Sequence, residues 1–482
     1  MIKEQLLSIL QHPNSGKPLH PAADCNALKA EGSDHLVPIV DGIPVFWPSV
    51  LDGGPSVIAE STGVSVLILA RNDEHNIGAL VGAIRVELEG NEREFEIVVI
   101  DEGSRDSTVE VANAAGATVY RQKEGGYAQG LIEGLIRVKG RYIITLHGDC
   151  SDGPQVVSQF LRLARPGQIL IGSNLIKRGG LVAPSCRRVL SRLLSYVSSV
   201  CLNLPIKDVL SGCRLYARET LQPKEYEADD FSIRIEPLVR AIAAGYRVVE
   251  IPLPYKGRAA MTPQGGLLWL AKSFTPAIKK MWLLRHDANA ADYDNRAFDS
   301  KNLIQRFWQR RRYLNIRSLA EEYLSKGSVL DVGCGSSRII QSIPHAVAFD
   351  ASLKKLRYLE STNSLRVCGS AFELPFKDGS FDCVIHSQLI EHLPMDRKLF
   401  TELRRIIRPG GTLVLGTVDF GLWIWPLIEK IYGVIMPHAY AEEHISHYTL
   451  ASLCEILRDE GFVIDKVVTI LKGEITIRAY RM

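Results

Sequence analysis

One rhythm, which occurs twice, constrains the fold more than any other feature. Between Val64 and Leu284 the apolar runs VSVLILA, EIVVID, YIITLHGD and ILIGSN alternate with helical stretches. From Ser328 onward SVLDVG, AVAFD, CVIHS and GTLVLGT do the same. Short apolar runs without in–out alternation suit strands buried on both faces, so each stretch predicts a mostly parallel α/β sheet flanked by helices. The two stretches share no motif, and no internal repeat joins them, which argues for two unlike domains. At about 150 residues per domain, 482 residues leave room for about three. The expected boundaries are a small β-rich module at 1–55, one α/β domain at 62–285, a polar link at 286–300 (from HDANAADYDNRAFDS) and a second α/β domain at 301–482.

Composition narrows the partners. A net charge of +3 is too small to argue for nucleic acid. The apolar share of 46% and charged share of 23% suit an ordinary globular protein. Nine cysteines occur with no Cys-x-x-Cys pair, which points to buried thiols in a reducing compartment. Neither a signal-peptide pattern nor an apolar run of 18 residues is present, so the expected location is cytoplasmic. The segment GGLLWLAKSFTPAIKKMWLLRH (265–286) carries Lys272, Lys279, Lys280 and Arg285 among leucines and tryptophans, a pattern that suits peripheral contact with a membrane face. Pro276 predicts two short helical pieces there.

The first α/β stretch ends its strands in acids. VSVLILARNDEHNI (64–77) and EIVVIDEGSRDST (96–108) place Asp73, Asp101 and Glu102 where an open sheet keeps its ligand crevice. KEGGYAQGLIEG (123–134) supplies Gly126 before a helix, and YIITLHGDCSD (142–152) ends a strand on His147 and Asp149. These segments resemble family 2 glycosyltransferases of GT-A fold. The resemblance implies that Asp73, Asp101, Glu102 and Gly126 contact a UDP- or GDP-linked sugar. It also implies a catalytic role for Asp149 at the diphosphate, where His147 stands in place of the family's first Asp: the two either hold a manganese or magnesium ion, or His147 hydrogen-bonds the diphosphate in a site with weak or no metal dependence. KDVLSGCRLYARETL (207–221) is similar to the D-x-x-S-G-F-R segment of dolichyl-phosphate mannose synthases. That likeness implies catalytic roles for Asp208 and Arg214 beside the donor and acceptor phosphates, substrate contacts from Glu236 and Arg258, and a polyprenyl-phosphate or glycan acceptor. The processive Q-x-x-R-W motif is absent, so one sugar per encounter is expected.

In the second stretch SVLDVGCGSSRII (328–340) reads as strand, Gly-rich turn and helix, and Asp350 closes the next strand nineteen residues after Asp331. No Walker lysine follows the turn, which argues against ATP. With CGSAFELPFKDGSFDCVIHSQLIEHL (368–393) and RPGGTLVLGT (408–417), the pattern resembles class I methyltransferases dependent on S-adenosylmethionine (SAM). That resemblance implies a Rossmann-like fold, with Asp331, Gly333, Gly335, Asp350, Ser370 and Ala371 around SAM. Ser370 stands where an Asp is frequent, with Phe372 or Glu373 as substitutes. His392 follows the strand, where a base can reach an acceptor, and His444 and His447 are lesser candidates.

The N-terminal LLSILQHPNSGKPL and LVPIVDGIPVFWP resemble a small zinc-ribbon-like family that includes an activator of tRNA methyltransferases. His12-Pro13-Asn14-Ser15 stands where zinc-binding members carry C-P-x-C and only Cys25 is near, so a metal-free docking or folding module is expected. The combined expectation is a bifunctional transferase acting on a nucleotide sugar and on a related methyl acceptor. The alternative is a methyltransferase whose first domain only binds ligand.

Overall fold

The computed structural model describes residues 3–22, 26–32, 36–46, 63–90, 93–122, 126–149, 153–176, 180–181, 185–229, 231–255, 266–287, 289–343, 345–362, 364–422 and 444–482. Arg258, Cys25 and most of the 51–63 stretch lie outside them. The chain divides into two compact units, 54–286 and 1–53 together with 287–482.

The first unit is built on a seven-stranded sheet. Its strands are β5 (Val64–Ala70), β6 (Phe95–Asp101), β7 (Thr118–Arg121), β8 (Tyr142–His147), β9 (Gln168–Ser173), β11 (Arg214–Ala217) and β12 (Arg247–Pro252), in the order β12-β9-β11-β8-β5-β6-β7. A separate two-stranded ribbon pairs β10 (Gly180–Leu181) with β13 (Pro254–Tyr255). All seven residues of β5 are buried, as an unalternating apolar run requires of a central strand. Only β11 runs antiparallel to its neighbours. From β5 the chain moves outward to β6 and β7, then returns to the other side of β5 as β8. That reversal opens a crevice at the carboxyl ends of β5 and β8.

The second unit has a sheet of the same size: β14 (Val329–Val332), β15 (Val347–Asp350), β16 (Leu365–Cys368), β17 (Phe381–Ser387), β18 (Ile407–Val418), β19 (Phe462–Ile470) and β20 (Glu474–Arg481). Its order is β16-β15-β14-β17-β18-β20-β19, with β20 antiparallel to both neighbours. Strand order turns back between β14 and β17. Local sequence sets the helix starts: Asn302 and Asp396 cap with their side chains, and Thr449 with Ser452 forms a capping box.

Two expectations about the boundaries are corrected. The 286–300 stretch is not a free link: it forms a helix at Tyr293–Phe298 within the second unit, because Asp294 accepts hydrogen bonds from the Ser336 amide and hydroxyl (3.0 and 3.2 Å). Nor does Pro276 break its segment in two, since one helix runs from Gly266 to His286. There the Met281 and Arg285 side chains are buried, Arg285 donating to the Asn203 carbonyl at 3.2 Å, so Arg285 does not face a membrane. No helix among the described residues is long and apolar enough to cross a membrane.

The N-terminal module is a four-stranded meander, β1 (Leu19–Pro21), β2 (Ala27–Ala30), β3 (Leu36–Val40) and β4 (Ile43–Pro44). It docks on the β16 edge. Val45 bridges Cys368, the Phe46 amide donates to the Cys368 carbonyl at 2.8 Å, and the Gln11 amide donates to the Pro375 carbonyl at 3.0 Å. Leu6, Leu10, Leu19, Leu28 and Val37 share one core with Val347, Val367 and Phe376. Each such side chain contributes about 1.5–3 kcal/mol on burial. A chain lacking residues 1–53 should therefore show the transition of its 287–482 unit at distinctly lower temperature in scanning calorimetry, with the transition of the 54–286 unit unmoved.

Candidate functional site

At the crevice of the first unit, Asn72 holds a left-handed conformation (φ 55°), tied by its amide to Ser104 Oγ and by its Oδ1 to the Arg105 amide (2.9 Å each). This kink after β5 aims Asp73 across at β8. Burial pushes the Asp73 carboxyl up, and the neighbouring Asp149 and Asp106 carboxylates add to the shift. Gly148 leaves room for this carboxylate, since a Cβ there would lie 2.7 Å from Asp73 Oδ2 and force it to shift. Asp101 ends β6, is 2% exposed and accepts from the Ser104 amide at 3.1 Å. Glu102 is also pushed up by burial, opposed by Arg71, His147 and Arg234. Gly126 (φ 114°) begins the helix Tyr127–Arg137 with open space where a side chain would stand.

His147 lies with its ring stacked toward Tyr127 (centroids 6.5 Å, 16°) and its Nε2 3.4 Å from Arg234 Nη2. The Arg234 guanidinium sits 4.6 Å from the Tyr127 ring centroid. The acids Asp73, Asp101, Glu102 and Asp149 are therefore gathered with His147 and Arg234 at one strand-end crevice. Arg234 is not among the expected site residues, although it lies two residues before Glu236.

Three of the expected site residues lie in the core. Arg214 is 1% exposed. Its Nη2 donates to the carbonyls of Val209 (2.8 Å) and Arg234 (2.6 Å), and its Nη1 to the Tyr216 hydroxyl (3.0 Å). Its role is to hold the backbone that presents Arg234. Asp208 is buried: its Oδ2 accepts from the Asn174 amide at 3.1 Å, and burial, followed by Glu250, pushes its pKa up to about 6. Glu236 has no exposed surface and accepts from the Glu227 and Ala228 amides and from Arg240 Nε (2.8 Å), which fastens a loop.

In the second unit the Gly-rich turn follows β14. Gly333 (φ 73°) and Gly335 (φ 53°) both need the left-handed region. A Cβ on Gly333 would stand 2.5 Å from Leu389 Cδ2, and one on Gly335 would strike Asp294 Oδ2. Asp350 closes β15 and accepts from the Gly335 amide (2.8 Å) and the Ser352 amide (2.7 Å). Asp331 is fully buried, and its Oδ2 has no hydrogen-bond partner. Burial, with Asp350 and Asp294 adding repulsion, pushes its pKa up to about 8. Burial also works against Asp294, yet Lys355 and Ser336 hold its carboxyl below the usual value. Three carboxyls thus surround the turn. Ser370 and buried Ala371 follow β16 beside Asp350, whose carbonyl accepts from the Gly369 amide at 3.1 Å. Glu373 points elsewhere, being exposed and paired with Lys398 at 2.9 Å.

Past β17, Gln388 is left-handed (φ 57°), with its Oε1 held by Arg312 Nη2 at 2.9 Å. The chain turns there and brings Leu389 under Gly333 and His392 beside His444, ring centroids 4.9 Å apart. His447 packs on Phe420 at 4.3 Å. A cleft of about 570 Å³ among the described residues lies elsewhere. It is lined by Val329, Val347, Leu365 and Phe381, which begin their strands, and so opens at the end of the sheet opposite the Gly-rich turn.

Against this geometry stand the matches to known proteins. The family model described as "Glycosyl transferase family 2" matches residues 65–222, and that described as "Methyltransferase domain" matches 330–415. The chain joins a family 2 glycosyltransferase domain to a methyltransferase domain. It is therefore a transferase. The glycosyltransferase domain is 27% identical over 199 residues to a dolichyl-phosphate hexose transferase of Haloferax volcanii, covering 41% of this chain and 85% of that one. It is 26% identical over 220 residues to a polyprenol monophosphomannose synthase of Mycolicibacterium smegmatis, covering 42% and 81%. A solved SAM-dependent methyltransferase of Thermotoga maritima aligns at 17% identity and a TM-score of 0.30, covering 39% of this chain and 98% of that one.

The two arginines separate by experiment. Arg234→Ala should weaken UDP or GDP binding at least tenfold in calorimetry with the unfolding midpoint nearly unchanged. Arg214→Ala leaves buried carbonyls unpaired and should lower the unfolding free energy by about 2 kcal/mol or more in urea titration.

Proposed function

We propose that the glycosyltransferase domain moves a hexose from a UDP- or GDP-linked donor to a polyprenyl-phosphate or glycan acceptor, and that the methyltransferase domain uses SAM to methylate a related glycan, lipid-linked or small-molecule acceptor. The first half rests on the crevice itself, where acids suited to a base and ribose (Asp101, Glu102) sit beside cationic and metal-competent groups suited to a diphosphate. Asp73 and Asp149 repel each other, and a divalent ion held by Asp149 with His147 relieves that repulsion. Manganese suits an imidazole–carboxylate pair better than magnesium. Arg234 supplies fixed positive charge beside His147 whether or not an ion is bound.

The names of the two relatives speak for a lipid-phosphate acceptor, which lives at a membrane face. Leu193, Tyr196 and Val200 are exposed on one face of the helix Ser185–Cys201, and Trp282 and Leu283 are exposed on the helix Gly266–His286 that it contacts. Apolar side chains grouped this way, with exposed Lys279 nearby, suit peripheral contact with lipid headgroups.

The single observation behind SAM is the acidic basin. Asp294, Asp331 and Asp350 around a glycine turn favour a cofactor carrying positive sulfonium and ammonium charges. The same basin repels the pyrophosphate of a dinucleotide. The glycines leave room for close backbone approach, and this reading gives Asp350 the ribose hydroxyls and Ser370 and Ala371 the adenine side.

The charge argument makes a pH prediction. Asp331, at about 8, is largely protonated at neutral pH in the free protein, and a bound cation stabilises its carboxylate. SAM affinity should therefore rise as pH increases from about 6 to about 8 and then level off. Below pH 8, binding should release a proton, read by calorimetry in buffers of different ionisation heat. Asp350→Ala should weaken SAM binding by an order of magnitude or more, through loss of charge-assisted hydrogen bonds of about 1.5–3 kcal/mol each. Unaltered binding in Asp350→Ala, or affinity that falls as pH rises, would overturn the assignment.

A further inference from the structure

Beyond the SAM basin, the turn after β17 carries a second cluster. Glu391 is 1% exposed and belongs to the one group of three metal-capable side chains found among the described residues, with His392 and His444. One ligand atom from each lies within 4.8 Å of the others. Ligands at about 2.0–2.2 Å from a common ion stand about 3.3–4.4 Å apart, so small side-chain rotations close the set.

The cluster is fixed from behind. Thr417 Oγ1 donates to Glu391 Oε2 at 2.9 Å and orients the carboxylate, while Oε1 is buried with no hydrogen-bond partner. A buried carboxylate oxygen without a partner is unfavourable unless something positive meets it. The amides of Ile445 and Ser446 donate to the Glu391 carbonyl at 2.9 and 3.1 Å, which brings the backbone following His444 onto the turn bearing His392. Two residues before Glu391, Leu389 packs on Gly333, so the cluster stands beside the Gly-rich turn.

We propose that Glu391, His392 and His444 bind a divalent cation of the zinc or manganese class, and that the methyl acceptor completes its coordination with an oxygen. Two imidazoles and one carboxylate favour such ions over magnesium or calcium, and three protein ligands leave positions open, as in sites where a metal meets substrate. The choice of an oxygen acceptor rests on the methyltransferase reading; the ion site does not.

The test uses the full chain, stripped with chelator and titrated with zinc or manganese without SAM. Metal content is read by mass spectrometry and manganese binding by electron paramagnetic resonance. The expected result is one tight equivalent that survives Asp149→Ala, removed or weakened at least a hundredfold in Glu391→Gln and in His444→Ala. SAM binding and the unfolding midpoint of each variant report folding, and half-exposed His444 is the variant least prone to misfold. Unchanged stoichiometry and affinity in folded Glu391→Gln and His444→Ala overturns the site. A wild type that binds the ion but not SAM leaves the site standing and removes the methyltransferase reading.

Discussion

Everything chemical in this chain depends on where strand order turns back. Between β5 and β8, and again between β14 and β17, successive connections leave on opposite sides, so no helix crosses the carboxyl ends of the central strands. Backbone groups and strand-end side chains are exposed there over a core that is otherwise closed. Each crevice is sharpened by a non-glycine residue in the left-handed region, Asn72 in one and Gln388 in the other. Such conformations cost about 1–3 kcal/mol and persist only where neighbours over-determine them. Here Ser104 and Arg105 hold Asn72, and Arg312 holds Gln388.

The two crevices solve opposite electrostatic problems. In the glycosyltransferase domain, carboxyls from three strand ends meet an arginine and a histidine, a mixed field that suits an anionic diphosphate with or without an ion. In the methyltransferase domain, three carboxyls crowd one glycine turn with Lys355 as their near cation, at 3.3 Å from Asp294. The uncompensated member is Asp331, the one whose oxygen lacks a partner. Similar sheets thus carry different ligands because of the charges placed at their ends, not because of the strand order itself.

What could be read from sequence follows the same division. Strands such as β5 and β14 are legible because a buried central strand must be apolar at every position, and the acids that end them are fixed by chain direction. The burial of Arg214 was not legible, for a physical reason. A motif arginine two residues after a glycine looks phosphate-binding, but β11 runs antiparallel between β8 and β9 and turns that side chain into the core. The crevice arginine, Arg234, comes from a short 3-10 turn without periodicity, and only the hydrogen bond from Arg214 to its carbonyl reveals why it stands there. Asp294 was hidden for a related reason. A polar stretch with few apolar residues reads as a link, yet its carboxylate is bound by a backbone amide that sequence does not display.

The N-terminal module shows how an edge becomes part of a site. β16 ends the methyltransferase sheet, and an uncovered edge strand invites pairing with other chains. Val45 and Phe46 occupy that edge at Cys368, the last residue of β16. The next residue, Gly369, donates its amide to the Asp350 carbonyl, and a Cβ built on it would lie 3.4 Å from Phe46 Cβ. Gly369 is therefore confined between the module and the strand end that bears Asp350. The backbone beside the Asp350 strand end is held by residues more than 300 positions away in the chain, so contacts that pack the module also hold that strand end.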